Sequence, residues 1–283
     1  MKQLFRLVRF SNLIIIGFTL VILRYVSSPV YADSKVFFVV LAGTILIAAA
    51  GNIINDILDL EIDLINKPHN VVIGNQINKN IAWGLYITFN SIALLLIVST
   101  GVMVLFLVFL SAIILLFLYS YKFKKLAILG NLTVALLCSW VVIELLFIEY
   151  TFLSDYWIKI MYMYALFAFI STFGRELIKD IEDFEGDKKM GCKTLPVVAG
   201  VQSAKILVII SFSILLILLA LEGYWFFLNN KIAVSVYIFV LLLLPLSFII
   251  LKLPLAKEKS DYTILSKLMK IYMTLGLGML FFV

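Results

Sequence analysis

Histidine is almost missing from this 283-residue chain, where His69 stands alone. Cysteine occurs twice, at Cys138 and Cys192, and proline five times. Each scarcity closes off a reading. There is no His/Cys cluster to hold zinc, and the two cysteines lack metal-ligand spacing. Both read as packing residues with no disulfide between them, and His69 reads as a loop residue. No Pro/Gly-rich linker or low-complexity stretch divides the chain, so residues 1–283 read as one domain. Charge is scarce as well. Only 14% of residues are charged and 64% are hydrophobic, against roughly a quarter and a half in soluble domains. That balance fits a polytopic membrane protein and no other class.

A membrane span needs about 20 mostly apolar residues. Nine stretches qualify, at 10–28, 36–58, 80–99, 101–120, 127–149, 156–180, 202–222, 231–251 and 263–283. The sequence therefore predicts an all-α bundle of about nine transmembrane helices. The third and fourth stretches are parted only by Ser99, Thr100 and Gly101. The basic start, M-K-Q-L-F-R-L-V-R-F, runs into the first stretch with no small-residue cleavage site and reads as an uncleaved helix. With the N-terminus on the cytoplasmic side, 19 of the 23 Lys and Arg fall on that side, and Arg24, Lys35, Lys159 and Lys231 on the other. The positive-inside rule expects such a split. The net charge of +6 thus reports orientation, in a cell (inner) membrane, and implies no nucleic-acid partner.

The acids are distributed differently. Ten of the 17 Asp and Glu lie in two short stretches, 56–63 and 176–187. The first belongs to N-I-I-N-D-I-L-D-L-E-I-D-L-I-N-K-P, where Asp56, Asp59 and Asp63 share one helical face with Asn52 and Asn55 on or beside it. The second places Glu176, Asp180, Asp183 and Asp187 on one face, while Glu182 and Glu185 point elsewhere and read as solvated. Both stretches end an even-numbered helix on the predicted cytoplasmic side, as in a diverged tandem repeat of about four helices per half. Carboxylates are costly at a membrane, and two facing stripes need cations between them. All-oxygen donors select Mg²⁺, Mn²⁺ or Ca²⁺ over zinc. Mg²⁺ keeps positions for water and phosphate oxygens. Lys67, Lys122, Lys124, Lys125, Arg175 and Lys179 are interleaved with the acids and suit a diphosphate leaving group. Glu144 and Glu149, near the other end of the fifth helix, read as structural.

These residues also carry a family resemblance. Asn55-Asp56-x-x-Asp59-x-x-x-Asp63 is similar to the N-D-x-x-D-x-x-x-D signature of the UbiA superfamily of intramembrane prenyltransferases. Asn66-Lys67-Pro68 resembles that family's N-[KR]-P. Tyr119-Ser120 with Lys122 and Lys124, then Gly130-Asn131, looks like its Y-[SP]…K…G-N segment. Asp180, Asp183 and Asp187, followed by Gly191 and Lys193-Thr194-Leu195-Pro196, look like its second aspartate motif. His69-Asn70 departs from the second basic residue many relatives carry there. G-R-E-L-I-K-D-I-E-D-F-E-G-D and I-N-K-P-x-x-V-V-I-G look most like the digeranylgeranylglyceryl phosphate synthase branch.

The resemblance implies a transferase that moves a polyprenyl group, geranylgeranyl in that branch, from its diphosphate to a lipophilic acceptor, geranylgeranylglyceryl phosphate. It implies two Mg²⁺ held by Asn55, Asp56, Asp59, Asp63, Asp180, Asp183 and Asp187, with Asp59 and Asp183 central to the chemistry. It places Asn52, Lys67, Lys122, Lys124, Asn131, Arg175, Glu176 and Lys179 around the diphosphate and substrate. An aromatic or quinone-precursor acceptor is the alternative within the same chemistry. A CDP-alcohol phosphotransferase would need D-G-x-x-A-R, which is absent. A cation transporter would favour Gly/Pro-broken helices at mid-membrane, and no such pair stands out.

Overall fold

The computed structural model describes residues 2–27, 34–66 and 71–283. A short helix, α1 (Lys2–Leu7), precedes α2 (Phe10–Ser27), α3 (Ser34–Leu58) and α4 (Leu60–Asn66). Next come α5 (Lys79–Val98), α6 (Met103–Tyr121), α7 (Leu129–Glu149) and α8 (Asp155–Glu182). The chain closes with α9 (Phe184–Lys189), α10 (Leu195–Ala199), α11 (Val201–Leu228), α12 (Ile232–Tyr237), α13 (Leu244–Lys252) and α14 (Lys259–Met279). A π-helical turn, Ile238–Leu243, joins α12 to α13 as one rod. Pro245 explains it: proline offers no N–H and crowds the preceding turn, which widens to absorb the defect. Counting that rod once, nine long helices stand among the described residues, as the hydropathy pattern predicts. Eight are long and apolar enough to cross a membrane. The ninth, α14, carries Lys259, Asp261, Lys267 and Lys270 and is less apolar.

Local chemistry sets the ends. Asn78 caps α5 by accepting from the backbone N–H of Asn80 at 2.8 Å. Glu258 and Asp261 form a reciprocal capping box on α14, which starts it at Lys259 instead of 263. The tight corner between α5 and α6 turns on Gly101, at φ 70°, a conformation glycine adopts without strain. Helix α11 runs past the expected 222 to Leu228.

The interior packs as two halves. In the first, α3 lies against α5 and α6; in the second, α8 lies against α7, α11 and α14. Lipid offers no hydrophobic force to join helices, so close packing has to do it. Gly174 on α8 shows this: a Cβ there would stand 2.1 Å from the ring of buried Phe212 on α11.

The acidic stretches depart from the continuous helices the spacing suggests. Helix α3 stops at Leu58, Asp59 sits at a bend, and α4 follows. Hydrogen bonding still steps through the break: the Asp59 N–H donates to the Asn55 carbonyl at 2.9 Å and the Asp63 N–H to that of Asp59 at 2.8 Å. The second stretch does the same at Asp183, between α8 and α9. There the Asp183 N–H donates to the Lys179 carbonyl at 2.9 Å and the Asp187 N–H to that of Asp183 at 3.0 Å. The middle aspartate of each motif thus marks a break, and the short helices beyond, α4 and α9, touch each other. Lys67 and His69 lie outside the described residues. Glu182, expected to be solvated, accepts from the Thr263 hydroxyl at 2.9 Å.

Candidate active site

A cavity of about 970 Å³ runs between the two halves. Its outer end is lined by Asn52, Asn55, Asp59 and Asp63 on one side and by Arg175, Glu176, Lys179, Asp180, Asp183 and Asp187 on the other. From there it extends along α3 to Thr44 and along α8 to Tyr164. Fifteen residues separate Asp59 from Thr44, a depth of about 22 Å at the helical rise. The deep part is apolar, with Ile47, Phe109, Leu116, Leu137, Val141 and Phe167 in its wall. One polar pair closes it, where the Thr44 hydroxyl donates to buried Glu144 at 2.5 Å. Glu149 instead pairs with Arg24 away from the cavity. Neither cysteine is in a disulfide; both line the cavity, Cys138 exposed and Cys192 buried.

The first acidic wall is neutralised from elsewhere in the chain. Arg9 donates to Asp56 at 2.9 Å. Lys124 forms an ion pair with Asp59 and lies 3.5 Å from the side-chain amide oxygen Oδ1 of Asn55. Burial pulls the Lys124 ammonium below the usual lysine pKa range, with the Asp59 carboxylate opposing that pull. Two left-handed residues frame these cations, Arg9 at φ 52° between α1 and α2, and Ile128 at φ 66° just before α7. Such conformations cost a non-glycine residue roughly 1 kcal/mol or more and tend to gather at functional sites. Asn52 supports the corner at Arg9, its amide donating to the Val8 carbonyl at 2.9 Å.

The second wall is neutralised locally. Glu176 accepts from Arg175 at 2.8 Å and from Lys179 at 2.9 Å. Asn131 donates to Asp180 at 2.8 Å, and the Thr194 hydroxyl to Asp187 at 3.2 Å.

Gly130-Asn131 stands between the walls. Asn131 orients Asp180, while Gly130 lets the Lys124 corner approach. A Cβ at Gly130 would fall 2.7 Å from the Lys124 Cα, and backbone cannot move aside as a side-chain tip can. A further tie joins that corner to the second half, the Lys193 N–H donating to the Lys125 carbonyl at 2.8 Å.

The cavity gathers eleven of the site residues read from sequence. Asp56 and Asn131 stand behind the lining, held to Arg9 and Asp180. Lys122 is exposed at the end of α6 and outside the lining, where Lys125 appears instead. The sequence reading missed Arg9, Asn12 and Lys270, which also line the cavity. Arg9 and Lys270 counted there only as loop charge. An Arg-x-x-Asn spacing at a span's entry was the available signal for the first two.

Comparison with known proteins speaks to family and fold. The UbiA prenyltransferase family model matches residues 15–274. The chain belongs to the UbiA prenyltransferase family. It is an integral membrane protein with that family's helical fold. A digeranylgeranylglyceryl phosphate synthase from Saccharolobus solfataricus is 32% identical over 257 residues, covering 89% of this chain and 86% of that enzyme. One from Methanobrevibacter smithii is 39% identical over 175 residues, but the match spans only 60% of this chain and 59% of that enzyme. A solved digeranylgeranylglyceryl phosphate synthase structure superposes with a TM-score of 0.73 at 26% identity, over 99% of this chain and 96% of the other. A UbiA homologue from Archaeoglobus fulgidus, solved with DMAPP and Mg²⁺, gives 0.67 at 19% identity, over 98% and 99%, and shares the fold.

Proposed function

We propose that this UbiA-family chain, acting as one domain, transfers a polyprenyl group, geranylgeranyl, from its diphosphate to geranylgeranylglyceryl phosphate, as in ether-lipid synthesis. One observation carries the reading: two aspartate walls, each interleaved with cations, face the outer end of a cavity whose depth is apolar. That polarity matches a diphosphate on a long hydrocarbon. The named relatives support the acceptor, and the loop charges support a cytoplasmic outer end and N-terminus.

The donor set suits Mg²⁺. Five Asp and Asn55 offer hard oxygen donors. Among the described residues no three acids already form a metal cluster. Mg²⁺ takes only one or two carboxylates from a protein and completes its shell with water and phosphate. One ion beside each motif would draw on one or two carboxylates, of Asp59 and Asp63 or of Asp180, Asp183 and Asp187, and Asp56 would act through Arg9. When bound there it supplies Lewis-acid charge to the leaving diphosphate, as the A. fulgidus homologue holding DMAPP with Mg²⁺ supports.

The chain's own groups account for the rest. Lys124 and Lys125 receive charge as the allylic C1–O bond breaks and its electron pair leaves on the diphosphate. The apolar depth keeps water from C1. The acceptor hydroxyl oxygen bonds to C1, and its proton passes to a motif carboxylate. Purified protein supplied with geranylgeranyl diphosphate and either geranylgeranylglyceryl phosphate or an aromatic acceptor, read by mass spectrometry, tests this. The ether product is expected. Product with the aromatic acceptor alone would overturn the acceptor assignment, and no product from either would overturn the activity.

A further inference from the structure

On the inner side of the aspartate walls, α14 meets the start of α2. Lys270 reaches from α14 to donate to the side-chain amide oxygen Oδ1 of Asn12 at 2.7 Å and lies 3.4 Å from the Ser11 hydroxyl. Both partners are neutral, and among the described residues Lys270 has no carboxylate. Arg175, a second cation, lines the same cavity. Arg175 is itself incompletely satisfied. Its terminal nitrogen bonds Glu176, but its Nε–H is buried with no acceptor among the described residues. Glu176 must also serve Lys179, so one carboxylate answers two cations. A buried donor without an acceptor is costly and is relieved by any acceptor that reaches it. Two cations lining one cavity, the first without a carboxylate and the second sharing one, form a place for an anion.

The donor's diphosphate does not fill that place. Arg175 precedes Asp180 by five residues and Asp183 by eight, so it lies about 8–12 Å further in along α8. With the diphosphate held at the aspartates, C1 points inward, and the acceptor hydroxyl must approach from that inner side. A phosphate two bonds beyond the glycerol carbons then reaches the same depth.

We infer that Lys270 and Arg175, with Asn12 fixing the lysine, form a second anion subsite that takes the phosphate of the acceptor lipid. Arg175 Nε and Lys270 Nζ donate to its oxygens, and Lys270 retains Asn12 as its neutral anchor. The inference rests on the proposed transfer to a phosphorylated acceptor and deepens it, since this subsite selects phosphorylated over unphosphorylated glycerol ethers.

The test compares Lys270→Gln and Lys270→Arg with the unmodified protein. Transfer kinetics are measured with geranylgeranylglyceryl phosphate and with geranylgeranylglycerol. Direct binding of geranylgeranylglyceryl phosphate is measured separately, without donor. Loss of a charged hydrogen bond should raise the KM for the phosphorylated acceptor roughly ten- to a hundredfold. The donor KM should stay unchanged, Lys270→Arg should recover most of the loss, and the preference for the phosphorylated acceptor should collapse. An equal rise in donor KM would assign Lys270 to the diphosphate and overturn the subsite. So would unaltered acceptor KM and binding in Lys270→Gln. Lysine-dependent binding of the phosphorylated lipid without any transfer would instead keep the subsite and overturn the activity.

Discussion

The two acidic walls resemble each other in sequence and differ in how their charge is held. Asp56 and Asp59 take their cations from distant elements, Arg9 before the first long helix and Lys124 in the corner before α7. Glu176 takes Arg175 and Lys179 from its own helix, while Asp180 and Asp187 rest on neutral Asn131 and Thr194. The first wall therefore exists as a charge-balanced surface only once three separate elements have met. The second draws its cations from a single helix. Cations brought from elsewhere can trade a carboxylate for a phosphate as substrate arrives, whereas neighbours on the same turn remain in place.

The widest test of that contrast lies at the breaks. Asp59→Asn and Asp183→Asn should each lower turnover by at least about a hundredfold, the scale of losing a main electrostatic group, with the protein still folded by circular dichroism. A large loss in only one would deny the walls equal standing in the chemistry. Chelation with EDTA should silence the unmodified enzyme, with Mg²⁺ restoring it.

Asn131→Ala should come next, costing roughly ten- to a hundredfold, the usual range for a group that orients a metal ligand. A loss in Mg²⁺ affinity, read by titration of activity, would distinguish orientation from general damage. Gly130→Ala should follow. Its Cβ presses on the Lys124 backbone, and overpacking of this kind costs about 1–3 kcal/mol, so melting temperature should fall and donor KM rise together. A lowered melting temperature with unchanged donor KM would separate the corner from the diphosphate. The smallest effect belongs to Arg9→Gln. Asp56 stands behind the lining, and a partly exposed ion pair is worth about 1 kcal/mol or less, so donor affinity should shift only a few-fold.

Much of this molecule is written locally and can be read that way. Apolar runs long enough to span a bilayer announce the nine long helices to within about six residues at each end, and Gly101 marks the corner that composition leaves ambiguous. The two aspartate stripes declare themselves by spacing. The breaks at Asp59 and Asp183 do not, because the hydrogen bonding that continues through each is helical on both sides. Arg9 and Lys270 escape for another reason. Their partners lie 47 and 258 positions away, and charges at span ends look alike whether they mark topology or line a site. Lys122 and Lys125 differ by one corner of backbone, which ends up displaying the second and leaving the first outside.

The provenance of the first wall's cations has a consequence for how the protein is made. Arg9 is translated before Asp56, and Lys124 follows while α7 has yet to emerge from the ribosome. When the first four spans enter the bilayer, the acids at their ends already have both counter-charges on the same stretch of nascent chain. No partner from the later half is needed to shelter them. The second half brings its own, Arg175 and Lys179 arriving on either side of Glu176. Each half therefore carries into the bilayer the cations that the ion pairs of its own acidic wall use, Arg9 and Lys124 in the first and Arg175 and Lys179 in the second.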